Sequence, residues 1–104
     1  MREQMMLKPT RNVVWKYTLT TDTKPQSIEV PGGGSVLSIQ FQGDELRVWM
    51  EVCPDDRHER RTFIVRGTGQ QYMITEDHYE YHRATVHHGS GIWHVFEVEP
   101  TGDE

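Results

Sequence analysis

The chain has 104 residues, with 11 Lys and Arg against 16 Asp and Glu, and a formal net charge of −5 when histidine is neutral. That length makes one domain, which removes roughly 65% of its unfolded surface from water, and it excludes a two-domain enzyme. A negative balance with no block of Lys or Arg also argues against duplex DNA and anionic membranes as partners, because both select for summed positive charge.

The six histidines outnumber the charge deficit of five, so protonating them brings the chain close to neutrality between about pH 5 and 7. The lone Cys53 has no intramolecular disulfide partner and suits a reducing compartment, so the cytoplasm is the expected location. Residues 1–10 lack the continuous apolar core of a signal peptide, and no stretch approaches the about 18 apolar residues of a membrane span. Residues 1–11 and 100–104 read as flexible tails around a single domain over 12–99.

Apolar residues alternate in short runs separated by Gly, Pro and Asp, which is an all-β pattern. Val13, Trp15, Tyr17 and Leu19 alternate with Asn12, Val14, Lys16 and Thr18 as a half-buried first strand, and Gln26 to Val30 form a second. Pro31-Gly32-Gly33-Gly34 then interrupts regular structure. Val36 to Gln42 and Glu45 to Cys53 flank Gly43-Asp44, a pair suited to a two-residue type II′ hairpin turn. With Gln42 opposite Glu45, that turn sets Phe41 against Leu46, Ile39 against Val48 and Leu37 against Met50, giving one continuous apolar face. The other face carries Ser38, Gln40, Gln42, Arg47, Trp49 and Glu51.

Arg60 to Arg66 is a further strand, ended by the Gly67-Thr68-Gly69 turn. Ile74 to Tyr81 fits either a short helix capped by Thr75 or an extended run in which Tyr79 and Tyr81 alternate. The last unit is a second Gly-first hairpin, Tyr81 to His88 and Gly91 to Glu99 around Gly89-Ser90. It sets Val86 against Trp93 and Ala84 against Val95, and leaves Arg83, Thr85, His87, Ile92, His94 and Phe96 on the opposite side. The expected architecture is an antiparallel β-sandwich or partly open barrel of about six to eight strands, with at most one short helix near 75–80.

Val14-Trp15-Lys16-Tyr17, Leu37-Ser38-Ile39-Gln40, Trp49, Gly67-Thr68-Gly69 and Trp93-His94-Val95-Phe96-Glu97 occur in that order. In this the chain resembles a small, uncharacterised domain family found largely in phages and prophages, over about Val13 to Glu97, most specifically in its opening and closing aromatic blocks. The resemblance supplies no catalytic motif. It implies a phage gene product acting in the cytoplasm of a bacterial host, where small phage proteins blunt defence by capping a defence protein or by soaking up a signal molecule.

Trp49 leads the candidate site residues, because the hairpin register sets its indole beside Arg47 and Gln40. An aromatic plane next to a guanidinium suits a planar or anionic ligand, and base stacking contributes about 1–3 kcal/mol. The alternative is that a second sheet covers this face and Trp49 belongs to the core. Arg66 and Thr68, at a turn whose amides form an anion-binding nest, and Arg83, His87 and His94 complete the expected ligand set. His82, His87, His88 and His94 are close in sequence, but strict alternation sends His82 and His88 to one side and His87 and His94 to the other. Only His87 and His94 can then converge, with no carboxylate or thiol fixed beside them, and Cys53 has no assigned base, so no metal site, cofactor or catalytic residue is expected.

The expectation is a non-catalytic, homo-oligomeric binding domain. It sequesters a small anionic ligand such as a cyclic nucleotide immune signal, or alternatively inhibits a host defence protein or assists phage assembly by docking on a protein.

Overall fold

The computed structural model describes residues 9–99. The alternating runs become seven strands, β1 (Val13–Leu19), β2 (Gln26–Pro31), β3 (Ser35–Gln42), β4 (Glu45–Val52), β5 (His58–Gly67), β6 (Glu80–His88) and β7 (Gly91–Val98). All pairings are antiparallel, in a three-stranded sheet ordered β1-β4-β3 and a four-stranded sheet ordered β2-β5-β7-β6. The two sheets form a sandwich.

Period-two alternation decides what fills it. Leu46, Val48, Met50 and Val52 of β4, with Leu19 and Ile39 from its neighbours, meet Val30, Phe63, Val65, Val86 and Val95 of the other sheet in one buried cluster. Two type II′ hairpins hold the registers: Gly43 and Gly89 take φ of 64° and 59°, the positive values their turn position demands, and neither following residue does. The expected pairs Gln42–Glu45, Phe41–Leu46 and Ile39–Val48 are all present, as are Val86–Trp93 and Ala84–Val95.

Each hairpin nonetheless carries a bulge that simple alternation does not anticipate. In β3 the register shifts between Val36 and Ser38, so Val36 lies opposite Met50 and Leu37 is extruded, 52% exposed. In β6 the shift falls between His82 and Ala84, and Arg83 leaves the face it was assigned to. Both bulges sit on sheet-edge strands, where an extra residue disrupts the regular edge a further strand would pair with. Along that side β3 and β6 lie next to one another, and Phe41 of β3 stacks on His88 of β6 with ring centroids 4.3 Å apart and planes 15° from parallel.

The ambiguous stretch before β6 forms no helix. His78 N–H donates to the Thr75 carbonyl at 3.1 Å in a single turn, and the chain enters β6 at Glu80. Residues 9–12 precede β1 without regular structure, whereas the rest of the expected tails, 1–8 and 100–104, lies outside the described residues.

Candidate functional site

The residues expected to share one ligand occupy separate parts of the sandwich. Gln40, Arg47 and Trp49 lie on the outer face of the three-stranded sheet, where Trp49 stands between Lys16 and Ser38 and is half-buried rather than part of the core. Arg47 donates to Thr18 Oγ1 and to Glu45 Oε1, so both terminal nitrogens of the guanidinium are occupied.

Arg66, Thr68 and His94 lie on the outer face of the other sheet, 66 and 94 being cross-strand partners. Arg66 does not face solvent: it forms a two-pronged ion pair with Glu80, beneath the Tyr72 ring whose centroid is 3.5 Å from its Cζ. The Arg66 hydrogen bond holds the Glu80 carboxyl below its ordinary value, against the upward push of burial, with His78 adding to the lowering. This ion pair pins the segment between β5 and β6 across the sheet.

Two amides of the expected anion nest are already used. Gly67 N–H donates to Gln70 Oε1 at 3.1 Å and Thr68 N–H to the Ile92 carbonyl at 3.0 Å, so these amides do not point at a ligand.

Arg83, displaced by its bulge, turns to Glu97 instead of sharing a face with His94. Its Nε donates to Glu97 Oε1 at 2.9 Å, while Arg61 grips the same carboxylate through Nε and Nη2 and donates Nη1 to the Gly34 carbonyl at 2.8 Å. Burial pushes the Glu97 carboxyl up, but the two guanidiniums outweigh it and the net shift is downward. A cleft of about 280 Å³ opens here, lined among others by Arg60, Arg61, Tyr81 and Arg83. His87 is exposed and lines a shallow hollow on the β3–β6 seam with Ile39 and Gln40.

At the end of the sandwich where both hairpins turn, a second cleft of about 330 Å³ is walled by Phe41, His88 and Trp93 and edged by Asp44 and Glu45. Trp93 fits because two neighbours are glycine: a Cβ on Gly67 would stand 3.3 Å from its Cζ3, and one on Gly91 3.2 Å from its Nε1. Asp44, 97% exposed, reaches His88 Nε2 at 3.2 Å. The signal for this mouth was present in the sequence as two Gly-first turns, but which ends of the two hairpins meet depends on how the sheets stack.

Residues 10–104 match the family model described as a domain of unknown function, DUF7352. The chain belongs to the DUF7352 family. No curated protein and no solved structure matches the DUF7352 chain, so its chemistry is read from its own side chains.

Proposed function

We propose that this DUF7352 domain is a non-catalytic binding protein that docks on another protein by receiving a Lys or Arg side chain in the Phe41, His88 and Trp93 mouth. One observation carries the reading: each arginine of the expected anion site is already paired with a carboxylate of the chain, Arg47 with Glu45, Arg66 with Glu80, and Arg83 with Glu97, which it shares with Arg61. An anionic ligand would have to displace those carboxylates. The mouth offers aromatic walls and the Asp44 carboxylate, which touches His88 but is 97% exposed, and these attract a cation by ring quadrupole and by charge, while the net charge of −5 favours a basic partner. The non-catalytic part of the proposal is supported by Glu80 and Glu97, which are held ionised by arginine and so are poor proton acceptors at neutral pH. Together with the resemblance to phage domains, the reading makes the partner a host defence protein, or a phage assembly protein, met in the host cytoplasm.

Asp44→Lys tests it, since the side chain is 97% exposed and its replacement should leave the fold intact. The variant should melt like the wild type and lose affinity for Lys- and Arg-containing peptides. Unchanged affinity would count against the mouth.

Sequestration of a small anionic, nucleotide-type signal is the second reading, favoured by the two guanidiniums of Arg61 and Arg83 in one cleft beside Tyr81. A ligand at a hundred times its dissociation constant stabilises by about 2.7 kcal/mol, so a thermal-shift screen of cyclic di- and trinucleotides decides between the two. A shift abolished by Arg83→Ala would put sequestration in front.

A further inference from the structure

The bulge in β6 has a chemical result on the outer face of the four-stranded sheet. Because the extra residue at Arg83 restores the alternation one position late, His82 and Thr85 both project outward, and His94 of β7 is the cross-strand partner of Thr85. His82 Nε2 and His94 Nδ1 each lie 3.2 Å from the same atom, Thr85 Oγ1, and the two rings are 5.6 Å apart between centroids. Both rings are braced. His94 Nε2 is 2.9 Å from Thr68 Oγ1, and His82 packs edge-on against Phe96 with centroids 5.3 Å apart.

The hydrogen bonds can be oriented from one end. Thr68 Oγ1 donates to the Ile92 carbonyl at 3.3 Å, so it accepts from His94 Nε2–H, which leaves His94 Nδ1 with its lone pair toward Thr85. Thr85 then donates its one proton to His94 Nδ1 and accepts from His82 Nε2–H, so each imidazole aims one nitrogen at a common point from a different strand, and a cation there takes His82 in its other tautomer. Neutral imidazole nitrogen is a ligand for zinc, copper and nickel, at about 2.0–2.1 Å for zinc, whereas magnesium and calcium take oxygen donors. The charge beside His94 is balanced: its cross-strand partner Arg66 is paired with Glu80. Among the described residues no third His, Cys, Asp or Glu completes a cluster, which leaves positions for the Thr85 hydroxyl, water or an outside donor.

We propose that His82 and His94 form a two-imidazole site for a late first-row divalent cation, with the Thr85 hydroxyl beside both nitrogens and open positions toward solvent. Strict alternation conceals it, since without the bulge His82 would face the other way.

The test is titration of the metal-free protein with copper(II), followed by electron paramagnetic resonance, with zinc(II) and magnesium(II) added as competitors of the copper signal. The proposal expects one site per chain with two coordinated nitrogens, copper bound more tightly than zinc, and magnesium not bound. His82→Ala and His94→Gln should each weaken copper binding by at least about tenfold, while His87→Ala, also an exposed β6 histidine, should not. Circular dichroism melts of all three variants check that they remain folded. Copper affinity unchanged in His82→Ala, equal loss in His87→Ala, or a single-nitrogen signal would overturn the site.

Discussion

Arg66 and Glu80 meet through two parallel hydrogen bonds, Nη1 to Oε1 at 2.6 Å and Nη2 to Oε2 at 2.9 Å, with side chains only 7% and 6% exposed. Such a pair has lost its water on both sides, so removing one partner strands the other charge. Glu80→Ala should cost about 3–5 kcal/mol in urea unfolding and make the 68–79 segment more sensitive to proteolysis. The double change Arg66→Met with Glu80→Leu, which removes both charges, should cost less than either single change. A double variant as damaged as the singles would mean that packing, rather than desolvated charge, sets the cost.

The two bulges give a second contrast. Ile39 is buried against β4 and β6, whereas Leu37, two residues earlier and of similar size, is extruded. Ile39→Ala should destabilise by about 2–5 kcal/mol through lost transfer energy and a cavity, and Leu37→Ala should stay within about 0.5 kcal/mol. Thermal melts of the pair check it, and equal losses would place Leu37 back in the core.

That contrast also shows how far the sequence could be read. The glycine-first turns carried the hairpins, because a type II′ turn specifies both loop length and register, and the all-β sandwich follows from them. Alternation then failed at two positions, Leu37 and Arg83, because a bulge inserts a residue without any composition that marks it. The consequences spread from there: Arg83 moved to Glu97, and His82 joined His94. The Arg66 ion pair was not legible for a different reason, since its partner Glu80 is 14 residues away across an irregular segment, and nothing in local pattern links the two.

Acid should weaken the protein through Glu97. Its folded-state value lies below the ordinary 4.5, so its ionised form contributes stability above about pH 4.5 and loses it as pH falls through the lower folded value. Urea midpoints measured from pH 7 down to pH 3 should fall below about pH 4.5, and more shallowly in Glu97→Gln, which lacks that titration. A Glu97→Gln profile parallel to the wild type would remove Glu97 from the account.

Against the edge of the core, the Tyr17 hydroxyl is buried without a hydrogen-bond partner among the described residues, and burial pushes its pKa up. Tyr17→Phe deletes an unsatisfied polar atom and keeps the ring, so it should be neutral or stabilising by up to about 1 kcal/mol. A loss of stability would reveal a partner for that hydroxyl.

Self-association is a separate expectation. β1 is a sheet-edge strand without the bulges found on β3 and β6, and its Val14 and Trp15 side chains are exposed. Light scattering should give a mass above 12.2 kDa that Trp15→Glu returns to the monomer value. A wild-type monomer at micromolar concentration would end that expectation.

The docking claim rests on the mouth walled by Phe41, His88 and Trp93, and the Trp93 indole N–H reports on it directly. The decisive measurement follows that resonance by nitrogen-edited NMR while a short lysine- and arginine-rich peptide is titrated into the wild type and into Asp44→Lys. The account predicts a saturable shift of the Trp93 signal in the wild type that is lost in Asp44→Lys. A silent Trp93 signal with the peptide, together with shifts around Arg61 and Arg83 on adding a cyclic nucleotide, would contradict it.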